Sequence, residues 1–175
     1  MKKIIITIIV LLLIAITPVG RYAVGTFRPV KAVSLDTAMA SIGEASGRPT
    51  LIVLYGPRCP LSRRLFPQVV QLAQHGVDVQ AYSVDDGPDA MLVGGFMNEF
   101  HAGFPAQRIL PWQPGQLSSR MGELGVSVPS PWVKPLVLVR NNSGQIIYQD
   151  MGVTDIEPAA QGAGAGRAGR IAASG

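Results

Sequence analysis

Cys59 is the only cysteine in a chain of 175 residues, and its neighbours are of the kind that make a thiol reactive. The apolar run Leu51-Ile52-Val53-Leu54-Tyr55 leads into it through Gly56-Pro57-Arg58. Pro60-Leu61-Ser62-Arg63-Arg64-Leu65-Phe66-Pro67 follows. The pattern predicts a strand, a short turn, the thiol and then an amphipathic helix. A sulfur at a helix N-terminus lies at the positive end of the helix dipole, beside N–H groups that lack a partner within the helix. Both effects favour the thiolate, which is the attacking form. Arg58 adds positive charge next to the sulfur. Arg63 and Arg64 read as solvated helix surface. Ser62 has two readings: a hydrogen-bond donor to the thiolate, or an ordinary residue of the first helical turn.

Other chemistry is thinly represented. His75 and His101 lie in separate segments, with no metal-ligand spacing to Cys59, so neither a metal site nor a cofactor is expected. A Cys–His hydrolase dyad suits the strand–Cys–helix context less well than redox chemistry. Trp112, Trp132 and Phe104 either shape a groove beside the thiol or pack into the core. Asn141-Asn142-Ser143 matches a glycosylation sequon, and a hairpin turn explains it more simply.

The charge distribution limits the partners. The chain carries a net charge of +4, but Lys2, Lys3, Arg21, Arg28 and Lys31 hold much of it. Residues 32–155 contain eight basic and ten acidic side chains, a balance of −2. That domain lacks the positive excess that phosphate binding requires, so no nucleic acid is expected. At the N-terminus, Met1-Lys2-Lys3 precedes an uncharged apolar stretch from Ile4 to Gly20. It reads as a secretory signal or an uncleaved membrane anchor, and no clean cleavage site follows it. The expectation is a domain on the periplasmic side of a bacterial inner membrane, tethered through residues 1–20. If the leader is cleaved, the domain is secreted to the periplasm. One cysteine excludes an internal disulfide and leaves a free thiol or an intermolecular bond.

The elements that must position the thiol follow from patterning. Residues 21–33 read as an extended spacer. Ser34 or Asp36 caps a helix through Ala38, Met39, Ile42 and Ala45 that ends at Gly47. Thr50–Tyr55 reads as a strand covered on both faces. The helix after Cys59 ends near His75-Gly76, and a strand follows from Val77 to Ser83. A turn at 85–89 leads into a helix through Met91, Phe96 and Phe100. Residues 103–115 read as a long connection, and a short helix spans about 116–124. Leu136–Val139 and Gln145–Tyr148 form a hairpin around Asn141–Gly144. Residues 156–175 are Gly- and Ala-rich and read as a flexible tail. The domain is expected over 34–155.

With these elements in order, the chain resembles the thioredoxin-like family, especially its membrane-anchored or exported bacterial members. The apolar strand runs straight into the cysteine. Cys59-Pro60-Leu61-Ser62 stands where that family has C-x-x-C. Pro67 stands where the family's helix carries a proline, and Pro135 precedes the Leu136–Val139 strand as the family's cis-proline does. The resemblance implies an α/β fold: a three-layer sandwich with a central mixed β-sheet flanked by helices. It also implies that Lys134 faces Cys59 across a cis Pro135, within a substrate groove that Trp132 helps to shape. The implied chemistry is thiol–disulfide exchange with protein thiols or disulfides of exported clients.

The departures from the family are specific. Ser62 replaces the second thiol. Val53 occupies the place of a buried acid, and Tyr55 and Arg58 replace tryptophans. Two functions are therefore expected to compete. One is a monothiol thiol–disulfide protein using Cys59 and Ser62. The other is a non-catalytic binding or accessory module of a membrane or secretion assembly. A monothiol glutaredoxin reading fits an exported leader poorly.

Overall fold

The structure, a computed structural model, describes residues 29–85, 90–110, 115–129, 132–153, 155–157 and 159. In chain order the elements are β1 (Val30–Val33), α1 (Leu35–Gly43), β2 (Thr50–Tyr55), α2 (Pro60–Gln74) and β3 (Asp78–Ser83). They continue with α3 (Ala90–Glu99), β4 (Ala106–Ile109), α4 (Gln116–Glu123), β5 (Leu136–Arg140) and β6 (Ile146–Met151). The strands form one sheet in the order β1-β4-β3-β2-β5-β6. The pairs β1–β4, β4–β3 and β3–β2 are parallel, whereas β2–β5 and β5–β6 are antiparallel.

Strand β2 organises both cores, because alternate residues of a strand point to opposite faces. Leu51, Val53 and Tyr55 pack with Leu65, Phe66, Val69 and Val70 of α2 and with Val93, Phe96 and Met97 of α3. Ile52 and Leu54 pack on the other face with Leu35, Ala38, Met39 and Ile42 of α1 and with Leu117 and Met121 of α4. Every residue of β2 is buried, as its unbroken apolar run requires of a strand covered on both sides. The result is helix–sheet–helix, the three-layer mixed-sheet sandwich expected from the sequence.

Four features differ from the sequence reading. The spacer read over 21–33 is corrected at its end: Val30–Val33 is an edge strand in register with Ala106–Ile109. Its partner lies far along the chain, and no local pattern announces such a pairing. The same pairing places a strand inside the connection read at 103–115. The first helix stops at Gly43 rather than Gly47. At the C-terminus, Ile156 and Ala159 are buried in the α2–α3 core, so packing extends beyond residue 155. The leader at 1–20, Trp112 and the tail from 160 onward lie outside the described residues.

The end of α1 is tied to the sheet by Arg140. This residue is 1 % exposed, and its Nη1 donates to the carbonyls of Ser41 (2.5 Å) and Ile42 (2.9 Å). Its Nη2 donates to Thr50 Oγ1 at 3.0 Å. A helix C-terminus carries carbonyls without intrahelical partners, and a buried guanidinium satisfies them while its charge suits the dipole. Burial pushes the Arg140 guanidinium below its ordinary pKa, against the opposing pull of Asp78. At the hairpin turn, Asn141 Oδ1 accepts from the Ser143 and Gln145 backbone N–H groups. Gly144, at φ +92°, leaves no room for a Cβ, which would lie 2.8 Å from the Gly43 carbonyl. The sequon is thus occupied by turn chemistry.

Arg140→Ala leaves three acceptors without their donor and is expected to lower stability by about 2–4 kcal/mol, read from the urea midpoint. Arg140→Lys should recover only part of that loss, because an ammonium lacks the planar fork. A second expectation concerns Tyr82, whose hydroxyl burial raises above its ordinary 10.0, partly offset by a bond to Ser41 and by Arg140. In the unfolded chain the phenol ionises first, so the unfolded state binds fewer protons as the pH climbs past that value. Stability should therefore fall as the pH rises above about 10, the ordinary value of the phenol, and Tyr82→Phe should flatten the fall in a series of urea midpoints.

Candidate functional site

Cys59 is the N-cap residue of α2, with extended backbone (φ −75°, ψ 121°) and Pro60 as the first helical residue. Proline suits that place because its missing N–H would be unpartnered there in any case. Two bonds fix the turn into the helix: Cys59 N–H donates to the Gly56 carbonyl (2.9 Å), and Arg63 N–H donates to the Cys59 carbonyl (3.0 Å). The sulfur thus lies at the helix N-terminus, as the sequence predicted, and it is partly exposed.

An aromatic cluster anchors the helix that carries the thiol. The Phe66 ring lies 4.9 Å from Tyr55 and 4.5 Å from Phe96, centroid to centroid, with Phe100 and Phe104 beyond. Such ring pairs stabilise beyond their buried area, by roughly 0.5–1.5 kcal/mol each. Arg63 lies over the outer rings, 5.7 Å from both Phe96 and Phe100. Its guanidinium pairs with Glu99 and donates to the Pro57 carbonyl at 3.2 Å. Its charge is therefore spent on fastening α3 and the loop to α2, while Arg58 and Arg64 are exposed.

The segment before β5 closes the site from the other side. The Lys134–Pro135 peptide bond is cis. Cys59 Sγ donates to the Lys134 carbonyl at 3.5 Å, a contact between residues 75 apart in sequence. Leu54 pairs with Leu136 across the β2–β5 ladder, so Lys134 and Pro135 fall opposite the turn that follows β2. Trp132 is half-buried and packs against the α1–α4 core, while Val133 is 53 % exposed. Lys134, Pro135 and Cys59 are thus brought together, whereas Trp132 packs against the α1–α4 core.

Sequence reasoning missed Asp85, reading it only as part of a turn. Tyr55 pairs with Ser83, and Val84 N–H donates to the Tyr55 carbonyl at 2.9 Å. That register carries Asp85 alongside Gly56. Asp85 Oδ1 accepts from Lys134 Nζ at 2.5 Å, with the two side chains 20 % and 30 % exposed. A Cβ on Gly56 would lie 2.5 Å from Asp85 Oδ1 and 3.0 Å from Lys134 Cδ, so only glycine leaves space for this pair. The available signal was positional: Asp85 follows the C-terminal end of a parallel strand, where α/β sheets gather functional side chains.

Ser62 is fully buried, and its Oγ accepts from the Gly56 N–H at 3.2 Å. Its recorded bond therefore braces the turn before the thiol. Val53 is buried in the α2–α3 core with no carboxylate in its place. Among the described residues no group of three His, Cys, Asp or Glu side chains is placed to hold a metal ion, and no helix is long and apolar enough to cross a membrane.

This arrangement, a thiol capping a helix at the end of a central strand and facing a cis-proline segment, is that of the thioredoxin fold. Solved structures agree. A thiol-disulfide isomerase from Corynebacterium glutamicum superposes with a TM-score of 0.52 at 17 % identity, over 69 % of this chain and 81 % of that one. A secreted disulfide oxidoreductase from Mycobacterium tuberculosis, described as homologous to DsbE of E. coli, gives 0.51 at 16 % identity over 69 % and 84 %. A thioredoxin-related protein from Neisseria meningitidis serogroup B gives 0.51 at 13 % identity over 70 % and 87 %. No family model and no curated protein matches the chain. The protein has the thioredoxin-like α/β fold, the fold of thiol:disulfide oxidoreductases.

Gly56→Ala tests the close packing beneath the loop. It should cost about 1–3 kcal/mol in urea unfolding, because the added methyl meets Asp85 and Lys134 at overlapping distances. It should also slow the alkylation of Cys59 by displacing the turn that carries the thiol. Unchanged stability together with an unchanged alkylation rate would show that the loop has room the geometry denies.

Proposed function

We propose that this protein is an extracytoplasmic thiol–disulfide protein that acts through a single nucleophilic cysteine. The observation that carries the reading is the 3.5 Å approach of Cys59 Sγ, on the N-terminus of α2, to the Lys134 carbonyl before cis Pro135. The sulfur stands where an extended client segment lying against residues 133–134 would present its own sulfur. Backbone pairing of that kind supplies affinity without demanding a particular sequence. The exposed Val133 adds apolar surface for the client's side chains.

The reaction is exchange. The Cys59 thiolate attacks one sulfur of a client or small-molecule disulfide. A Cys59–client disulfide forms, the original S–S bond breaks, and the other half leaves as a thiolate. Ser62 has no sulfur with which to reverse the bond internally. The mixed disulfide therefore persists until an external thiol attacks it, releasing the client thiol and regenerating Cys59 through a second exchange. The role given to Ser62 is to brace the Gly56 turn, with its hydroxyl proton directed at the sulfur when the thiolate forms. Arg58 supplies charge beside the same sulfur.

Location follows the leader. A basic n-region and an apolar stretch precede the domain, and one structural relative is described as secreted. The reading places the domain outside the cytoplasmic membrane, held there by residues 1–20, with exported proteins as clients. A second reading has one observation in its favour: Ser62 is buried and hydrogen-bonded as a structural residue, as in a module that keeps the peptide groove and has lost the redox cycle.

The full-length chain mixed with glutathione disulfide should gain one glutathionyl group at Cys59, seen by intact mass, and keep it until dithiothreitol is added. Ser62→Cys should lose the adduct unaided, as the introduced thiol attacks the mixed disulfide and forms an internal bond to Cys59. If Cys59 gains no adduct while free cysteine does under the same conditions, the exchange reading fails and the binding module stands.

A further inference from the structure

The Asp85–Lys134 ion pair lies under the site, and the exchange step above assigns it nothing. Lys134 meets the thiol in two ways. Its carbonyl accepts from Cys59 Sγ, and its ammonium is drawn beneath the loop to Asp85. Both side chains are largely withdrawn from water, so the pair is held more firmly than an exposed one. Asp85 Oδ2 is buried and has no hydrogen-bond partner among the described residues. Asp85 also lines a cavity of about 20 Å³ with Ser83, Arg58 and Arg108, enough for a single water. An unsatisfied carboxylate oxygen in a shielded place is costly, and packing alone would be served as well by an apolar residue.

The two halves of the pair act on the thiol in opposite senses. A nearby cation favours the thiolate, and a nearby carboxylate opposes it. A carbonyl that accepts the S–H bond stabilises the protonated form. We infer that Asp85 is a positioning and tuning residue for Cys59: by holding the Lys134 ammonium in an ion pair, it makes the resting sulfur face the Lys134 carbonyl instead of an unpaired cation. This inference deepens the exchange reading and rests on it for its biological meaning. The other charges around the site stay constant in the comparison. Arg58 and Arg108 line the same cavity, Arg63 is committed to Glu99 and Pro57, and Arg64 is exposed on α2. Asp86 and Asp89 lie outside the described residues.

The test is the iodoacetamide alkylation rate of Cys59 in the full-length chain, measured from about pH 5 to 9. Asp85→Asn leaves the Lys134 charge without its partner and should raise the rate near pH 6.5 about threefold to tenfold. Lys134→Met leaves the carboxylate without its partner and should lower the rate by a similar factor. The double substitution should return close to the starting profile, and Lys134→Arg, which keeps the charge, should stay there. Thermal unfolding establishes that each variant is folded. If Asp85→Asn does not fold, the contrast between Lys134→Met and Lys134→Arg carries the test alone. Rates that move in the same direction in both single variants mean simple loosening of the loop and overturn the inference, as do rates that do not move. Alkylation needs no client. Opposed shifts in a protein that never forms a mixed disulfide would sustain this inference and remove the exchange reading.

Discussion

The register of β2 between β3 and β5 is the constraint from which the site follows. Tyr55 is the last residue of a wholly buried strand, paired with Ser83 on one side, while Leu54 is paired with Leu136 on the other. The ladders end at Tyr55–Ser83 and Leu54–Leu136, so three chain segments emerge together at one end of the central strands. They deliver Gly56 with the thiol loop, Asp85 and the Lys134–Pro135 segment. A slip of one residue in either ladder would turn the strand's side chains to the wrong faces. It would empty both cores as well as dismantle the site, so the stability of the core and the geometry of the site share one cause.

Several charges of the fold are held by specific partners. Arg63 is spent on Glu99, Arg120 on Asp36 and Glu123, Lys134 on Asp85, and Arg140 on the carbonyls at the end of α1. Arg58 and Arg64 are exposed. The sulfur lies at a helix N-terminus next to Arg58 and faces the carbonyl of a lysine that is itself paired with Asp85. On the exchange reading proposed above, with Ser62 in place of a second thiol, that setting would bear on Cys59 both as the attacking and as the leaving thiolate, and release of a client would wait on an outside thiol.

Much of this was legible in the order of residues. The unbroken apolar run of β2, the proline after Cys59 and the amphipathic pattern of α2 are local signals, because strand burial and helix capping depend on neighbours a few residues away. Pro135 was marked by the resemblance to the thioredoxin-like family, which implied a cis bond with Lys134 facing Cys59, and the structure has both features. Residues 30–33 and 106–109 were misread as spacer and connection. Each is too short to show a period, and each becomes a strand only through the other.

The sequence by itself determined that one thiol stands at a helix start after a buried strand, with no second sulfur to resolve its bonds. Those facts need only residue identity and local periodicity. The tertiary structure alone decided what the thiol faces. Asp85 and Lys134 are 49 residues apart and meet only because β3 and β5 flank the same strand. Arg140 lies in the interior because its partners, Ser41, Ile42 and Thr50, are gathered there by folding. Contacts of this kind are set by the pairing of distant strands, and a linear pattern does not carry them.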